Sequence, residues 1–207
     1  MERARWRRRS AERPAEIVDA ALSEFARRGF AAARMADIAA QAGLSKAALY
    51  VYFPTKAELF RAVLVQHAAP QVGQAWLDGA RPRPFRVTLA AILDGMTTLM
   101  QQPEFRRLAR MVIAESANFP ELATLWRENV VDPAIGTVSG ALSEAQAARE
   151  VRAGDARLMA FAVVGPLLTG MLWGEVMEPS GGEPIDLQAL ARQHGELLRR
   201  GLLSAAD

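Results

Sequence analysis

The chain has 207 residues, 51% hydrophobic and 23% charged, a balance that supports a packed core and excludes an intrinsically disordered polymer. It contains no cysteine, which excludes a disulfide framework, a thiolate metal site and a cysteine nucleophile, and which suits a reducing cytoplasm. The formal charge of +2 is unevenly spread: residues 1–61 carry 12 Lys and Arg against 7 Asp and Glu, net +5, while residues 62–207 carry 13 against 16, net −3. The N-terminal part is therefore the one suited to a polyanion.

Hydrophobic spacing predicts helices almost throughout, about nine in all, with no alternating strands and no repeat, so the fold class is all-α. The opening MERARWRRRS is basic but lacks the apolar stretch of a signal peptide. Residues 1–10 read as a flexible basic arm, whose Arg5–Arg9 can either enter a DNA minor groove or remain a solvated tail. Helix 1 is expected from Ala11 to Arg28, with Ile17, Ala21 and Phe25 four apart and Gly29 as the stop. A second helix spans Met35–Ala42, and Gly43 supplies a sharp left-handed turn. Ser45 caps a third helix, Lys46 to about Tyr52, which Pro54 ends. Thr55 and Glu58 form a T-x-x-E capping box, so a fourth helix starts at Lys56 and is expected to reach about Leu77.

Helices 2 and 3, joined by a tight turn, have the form of a helix-turn-helix. A helix enters the major groove only if its outer face is small or polar enough to approach base edges. Leu49 and Phe53 are placed inward, leaving Lys46, Ala47, Tyr50 and Val51 outward. Lys46 can reach a guanine edge or a phosphate, and Ala47, Ala48 and Val51 offer apolar contact to thymine methyls. Tyr50 and Tyr52 can donate hydroxyls to phosphates. Arg34, before helix 2, and Lys56, in the first turn of helix 4, are placed to hold phosphates. Each of these charges, taken singly, also reads as an ordinary solvated side chain.

The runs IVDAALSEFARRGF (17–30), MADIAAQAGLSKAALYVYF (35–53) and PTKAELF (54–60) resemble the DNA-binding domain of the TetR/AcrR family of bacterial transcriptional regulators. The resemblance implies a homodimer on double-stranded DNA, with Arg34, Ser45, Lys46, Ala47, Ala48, Tyr50, Tyr52 and Lys56 approaching a near-palindromic operator. Two departures stand out. Ala47-Ala48 replaces a common Gly-Thr, removing a hydroxyl from the reading surface, and Ala33 replaces a frequent Thr, which leaves the capping of helix 2 open. The implied organisation is a DNA-binding domain over 1–61 and a ligand-binding and dimerisation domain over 62–207.

Beyond a loop at Ala80–Pro84, helices are expected at about Phe85–Met100, Phe105–Ala117, Pro120–Ala147, Asp155–Met177 and Leu187–Leu203, with Asp155 and Asp186 as N-caps. Catalytic grammar is lacking: there is no phosphate loop, no nucleophile elbow, and His67 and His194 have no ligand cluster and read as helix-surface or interface residues. No enzyme activity, metal or cofactor is expected. FRRLARMVIAESANFPELATLWRENVV (105–131), followed by a Gly-rich apolar helix, resembles the AefR-like subgroup of TetR-family ligand domains, which implies a pocket for a small hydrophobic ligand. Trp76, Phe105, Met111, Trp126, Phe161, Met171 and Trp173 are its candidate walls, although each also reads as plain core.

Leu158–Trp173 carries no charge, but at 16 residues and with Gly165-Pro166 inside, it is expected to lie among helices and not to span a membrane. With Gly165, Gly170 and Gly174 on that helix and Leu190 and Leu197 on the last one, the pair is expected to form a four-helix dimer interface. The resulting function is a sequence-specific DNA-binding regulator, a repressor released by a small hydrophobic ligand. The alternatives are an activator, a ligand-independent regulator, or a helical enzyme or carrier.

Overall fold

The computed structural model describes residues 2–76 and 84–203, with side chains from Arg13 onward except at 74 and 75. The helices are α1 (Glu2–Ala32), α2 (Met35–Gln41), α3 (Lys46–Tyr52), α4 (Lys56–Val63), α5 (Phe85–Met100), α6 (Pro103–Glu115), α7 (Pro120–Trp126), α8 (Asp132–Ala147), α9 (Ala156–Leu172) and α10 (Leu187–Leu202). A π turn at Arg127–Val131 joins α7 to α8 as one rod, so the fold matches the expected all-α bundle of about nine helices. Among the described residues the only extended pairing is an isolated bridge between Val151 and Leu203.

Two elements differ from the sequence reading. The backbone of residues 2–12 continues α1 instead of forming a loose arm; the side chains of Arg5–Arg9 lie outside the described residues. The fourth helix does not run unbroken to Leu77. After Val63 it loosens into a π turn at Leu64–Ala68, then breaks into 3-10 turns at Ala69–Gln71 and Gly73–Trp76. Pro70 explains the break, because it has no N–H to give and its ring crowds the preceding turn. The loop expected at Ala80–Pro84 lies, except for Pro84, outside the described residues.

Aromatic rings join the small N-terminal bundle to the larger body. Phe25, Phe30 and Phe60 pack together with centroids 5.6–5.8 Å apart, and Phe119, from the corner between α6 and α7, meets Phe30 at 5.2 Å. Ile17, Ile38, Leu49 and Leu59 are fully buried around this cluster. In the body, Leu89, Ile92, Met96, Leu108, Leu122 and Leu142 form the centre of the core.

The seven candidate pocket walls stand in different surroundings. Trp76 is buried against Gly95, where a Cβ would collide with the indole, and its Nε1 donates to Gln71 O at 2.9 Å. Phe105 and Trp126 pack on each other with centroids 5.4 Å apart, and Met111 and Met171 are core residues. Phe161 and Trp173 point outward from α9 and its extension. An open groove of about 860 Å3 lies between α5 and α10, lined by Arg86, Leu89, Leu93, Asp94, Arg192 and Glu196 among others, and by none of the seven candidates.

α9 also differs from its sequence reading. Its buried side presents Ala160, Val163, Leu167 and Gly170 to the bundle, whereas Leu158, Phe161 and Leu168 stay exposed, continued by Trp173, Val176 and Met177. Gly170 is not free for a partner, because Leu190 Cδ2 of α10 sits 2.6 Å from where its Cβ would be. Gly170 and Leu190 therefore pack on each other within the chain; Gly165 has open space around it, and Leu197 is 59% exposed. Gly174 is half-buried beside Glu178. The helical segment runs on through Ser180, 25 residues with a mean hydropathy of 1.5 in its most apolar window, so length alone does not bar it from a membrane. It is placed as a bundle helix: one face packs on α8 and α10, and Glu175 pairs with Arg106 and Arg110 of α6.

Candidate nucleic-acid interface

The turn between α2 and α3 follows from local chemistry. Gly43 adopts φ +66°, and it closes α2 by two bonds, Leu44 N–H to Ala39 O at 2.8 Å and Gly43 N–H to Ala40 O at 3.1 Å. This is the Schellman pattern, in which a left-handed residue satisfies the last carbonyls. Ser45 then caps α3, its Oγ accepting from Ala48 N–H at 3.1 Å. The hydroxyl proton of Ser45 stays available to an outside acceptor.

One face of α3 is anchored by Leu49, fully buried, with Phe53 half-buried beyond its end. The opposite face exposes Lys46, Ala47 and Val51, the last 82% exposed, flanked by Tyr50 and Tyr52 at 40% and 39%. Lys46 Nζ lies 5.8 Å from the Tyr50 ring centroid, so the cation and the phenol share one side of the helix. Ala47 is exposed beside them, and Ala48 is half-buried toward the Tyr52 side. A short helix with small residues flanked by one cation and two phenols can press its backbone near base edges while its rim meets phosphates. Arg34 is exposed at the N-cap of α2, whose side chain makes no capping bond.

Lys56 departs from expectation. It begins α4 behind the Thr55–Glu58 capping box, which forms in both directions at 3.1 and 3.2 Å. Its ammonium turns back toward the end of α1, donating to Phe30 O, Ala31 O and Ala33 O at 2.6, 3.3 and 3.0 Å, and lies 4.6 Å from the Phe30 ring centroid. Burial pushes this amine below the usual lysine range, and the negative charge of Glu115 acts in the opposite direction. In the DNA-free chain its ammonium is thus directed onto the carbonyls of the 30–33 segment and acts as a structural clamp there.

Several residues that orient the reading helix were invisible to local spacing. Glu24 of α1, 2% exposed, pairs with Arg27 and Arg28, and Arg28 reaches Asp37 of α2 at 3.0 Å. Glu115 of α6 accepts from Phe30 N–H and Ala31 N–H at 3.0 and 2.6 Å. Arg110 and Glu115 do not pair with each other: Arg110 faces Glu175, and Glu115 faces the N-terminal bundle. Neither histidine is drawn into a site. His67 pairs with Asp19 at 2.9 Å, and His194, expected at a surface or interface, is buried with a ring nitrogen 3.2 Å from Val163 O.

Comparison with known proteins agrees with this architecture. The profile of bacterial regulatory proteins of the tetR family matches residues 17–63, and that of the tetracyclin repressor-like C-terminal domain matches residues 84–181. The second match does not name the AefR-like subgroup. The chain is 50% identical over 50 residues to the HTH-type transcriptional repressor SCO4008 of Streptomyces coelicolor, covering 24% of this chain and 26% of that protein. It is 46% identical over 56 residues to the HTH-type transcriptional activator FasR of Mycolicibacterium smegmatis, covering 27% of this chain and 26% of that one. The matched stretch is thus about a quarter of either relative's length. Over nearly the whole chain, a Mesorhizobium loti protein assigned to the TetR family superposes with a TM-score of 0.75 at 25% identity, covering 95% of this chain and 99% of the other. With both halves of the fold and the geometry of α2 and α3 in agreement, the chain belongs to the tetR family of bacterial regulatory proteins, with an N-terminal helix-turn-helix domain and a C-terminal helical domain.

Proposed function

We propose that the protein is a cytoplasmic, homodimeric transcriptional repressor that reads a near-palindromic operator and is released by a small hydrophobic ligand. The observation that carries DNA reading is the outward face of α3, on which Lys46, Ala47, Tyr50 and Val51 stand free while Leu49 anchors the helix. Arg34, Ser45 and Tyr52 flank that face as contacts to the DNA backbone, and Ala48 adds apolar contact beside Ala47. The domain division at residues 61 and 62 falls within α4, the helix through which the body would move the reading head.

The dimer reading is supported by the exposed apolar stripe Leu158, Phe161, Leu168 and Trp173, together with Leu197 of α10. Such a stripe on a helix otherwise built into the core suits a symmetric helix-pair interface. Two reading helices about one DNA turn apart require a near-palindromic site. Ligand release is supported by the π turns Leu64–Ala68 and Arg127–Val131, which pack on each other at the root of the reading head. π turns are strained segments that accompany functional sites, and a ligand favouring one arrangement of them would shift the head.

An activator is the second reading, favoured by the likeness to FasR. Footprinting the purified protein on DNA flanking its own gene tests both. Protection of a near-palindrome overlapping the promoter supports repression, and protection upstream of it supports activation. Absence of any protected near-palindrome overturns the DNA-reading proposal.

A further inference from the structure

Residues 29–33 run from the kink of α1 at Gly29 to the N-cap of α2, and both sides of that short segment are clamped. Its N–H groups at Phe30 and Ala31 are held by the carboxylate of Glu115, which ends α6 of the body. Its carbonyls at Phe30, Ala31 and Ala33 are held by Lys56. The peptide groups thus lie between an anion on their N–H side and a cation on their carbonyl side, an arrangement favoured electrostatically at every bond. Two consecutive N–H groups around one carboxylate form an anion-binding concavity of the kind called a nest.

Gly29 makes the approach possible. Its φ is +79°, a conformation that side-chain-bearing residues rarely adopt, and a Cβ there would collide with Glu115 Oε1. Phe119, four residues beyond Glu115, closes over Phe30. The other end of α6 is also tied, because Arg106 Nε lies 2.7 Å and Arg110 Nε 3.8 Å from the Glu175 carboxylate on the extension of α9. α6 is therefore strapped at one end to the helix with the exposed apolar stripe and at the other to the root of the reading head.

We infer that Glu115 is a positioning residue for DNA binding: its carboxylate pins the 29–33 segment to α6 and so fixes where the reading helix stands relative to the dimer helices. This rests on the proposed dimeric DNA reading, but the pin itself is a property of the free protein. A pinned head holds the two reading helices at one separation, so the protein discriminates sharply between operators that differ only in half-site spacing. Releasing the pin relaxes that discrimination without removing a single DNA contact.

The test has two arms on full-length protein. In the first, hydrogen exchange of the peptide covering residues 29–33 is compared between wild type and Glu115→Gln, which keeps the shape but presents an NH2 to one of the two N–H donors. Exchange at Phe30 and Ala31 is expected to rise at least about tenfold, the effect of losing a charge-assisted hydrogen bond, with the middle of α1 and the dimer unaffected. Gly29→Ala, which displaces the same carboxylate, supplies an independent perturbation, and its effect and that of Glu115→Gln are expected to be non-additive in the double variant. Unchanged exchange in Glu115→Gln, or full additivity, overturns the pin.

In the second arm, affinity is measured for the footprinted operator and for versions with the half-sites one base pair closer or farther apart. Glu115→Gln is expected to narrow the affinity ratio between correct and altered spacing by about tenfold. A general loss of stability would weaken all the operators alike and leave that ratio unchanged, and a ratio equal to wild type overturns the positioning role. Should the wild type protect no operator while exchange still responds, the DNA reading fails and the pin stands as a structural link only.

Discussion

Replacing Lys56 by Met separates two incompatible roles for this residue. Methionine preserves most of the stem beside Phe30 and removes the ammonium, so three carbonyls lose their donor at once. A hydrogen bond to a charged group contributes about 1.5–3 kcal/mol when lost. The three share one nitrogen and Ala31 is exposed to water, so the sum is well below three full bonds, roughly 2–4 kcal/mol. In a chain of this length that corresponds to a fall in Tm of roughly 5–12 °C, measurable by thermal and urea unfolding of the DNA-free protein. The salt dependence of operator binding is expected to keep its slope, because no phosphate contact is lost. A phosphate clamp behaves in the opposite way, with unchanged unfolding and a salt slope reduced by about one. That pattern would refute the structural assignment of Lys56.

Lys46→Ala is expected to weaken operator binding by about 1–3 kcal/mol if the amine reads a base edge, with dimerisation intact; equal affinity removes Lys46 from the contact surface. Phe161→Glu places a charge in the exposed stripe of α9 and is expected to convert the dimer to a folded monomer in sedimentation experiments, whereas a dimer of wild-type affinity would rule that stripe out as the interface. Thr55→Ala removes one half of the capping box and is expected to cost about 1 kcal/mol of stability in urea, with no effect on the α9 interface. Burial lowers the Lys56 pKa in the folded chain below its usual 10.5, so between the folded value and 10.5 the unfolded chain binds more protons. The stability difference between wild type and Lys56→Met should then grow as pH rises through that window and stay flat near neutrality; a difference that shrinks there would contradict the assigned cause.

Features governed by neighbours in sequence were legible from the start. Ser45 bonding Ala48, Thr55 exchanging bonds with Glu58, Gly43 turning the chain, and Asp155 and Asp186 capping α9 and α10 each involve groups within a few residues. The inward placement of Ile38 and Leu49 followed from the helical period in the same way. The surroundings of the candidate pocket walls were not legible, for the converse reason. An aromatic or methionine at helical spacing marks an apolar face, but its periodicity is the same whether that face meets core, cavity or a partner, and Phe105 and Met171 went into the core while Phe161 came to the surface.

The sequence by itself determined that the chain is helical, that α2 and α3 form a helix-turn-helix, and that the outward face of α3 is small, with one cation and two phenols. These are consequences of dihedral preference, capping and periodicity, all of which act over one or two helical turns. Only the tertiary structure decided where the long side chains end. Lys56 meets carbonyls 23 to 26 residues away, and Glu115 meets N–H groups 84 and 85 residues away. Gly29 reads locally as a helix stop; it also leaves room for the Glu115 carboxylate of α6 to reach the N–H groups of Phe30 and Ala31. Such contacts form because two folded units bring a charged group and unpaired peptide groups within bonding distance, and no local pattern encodes that distance.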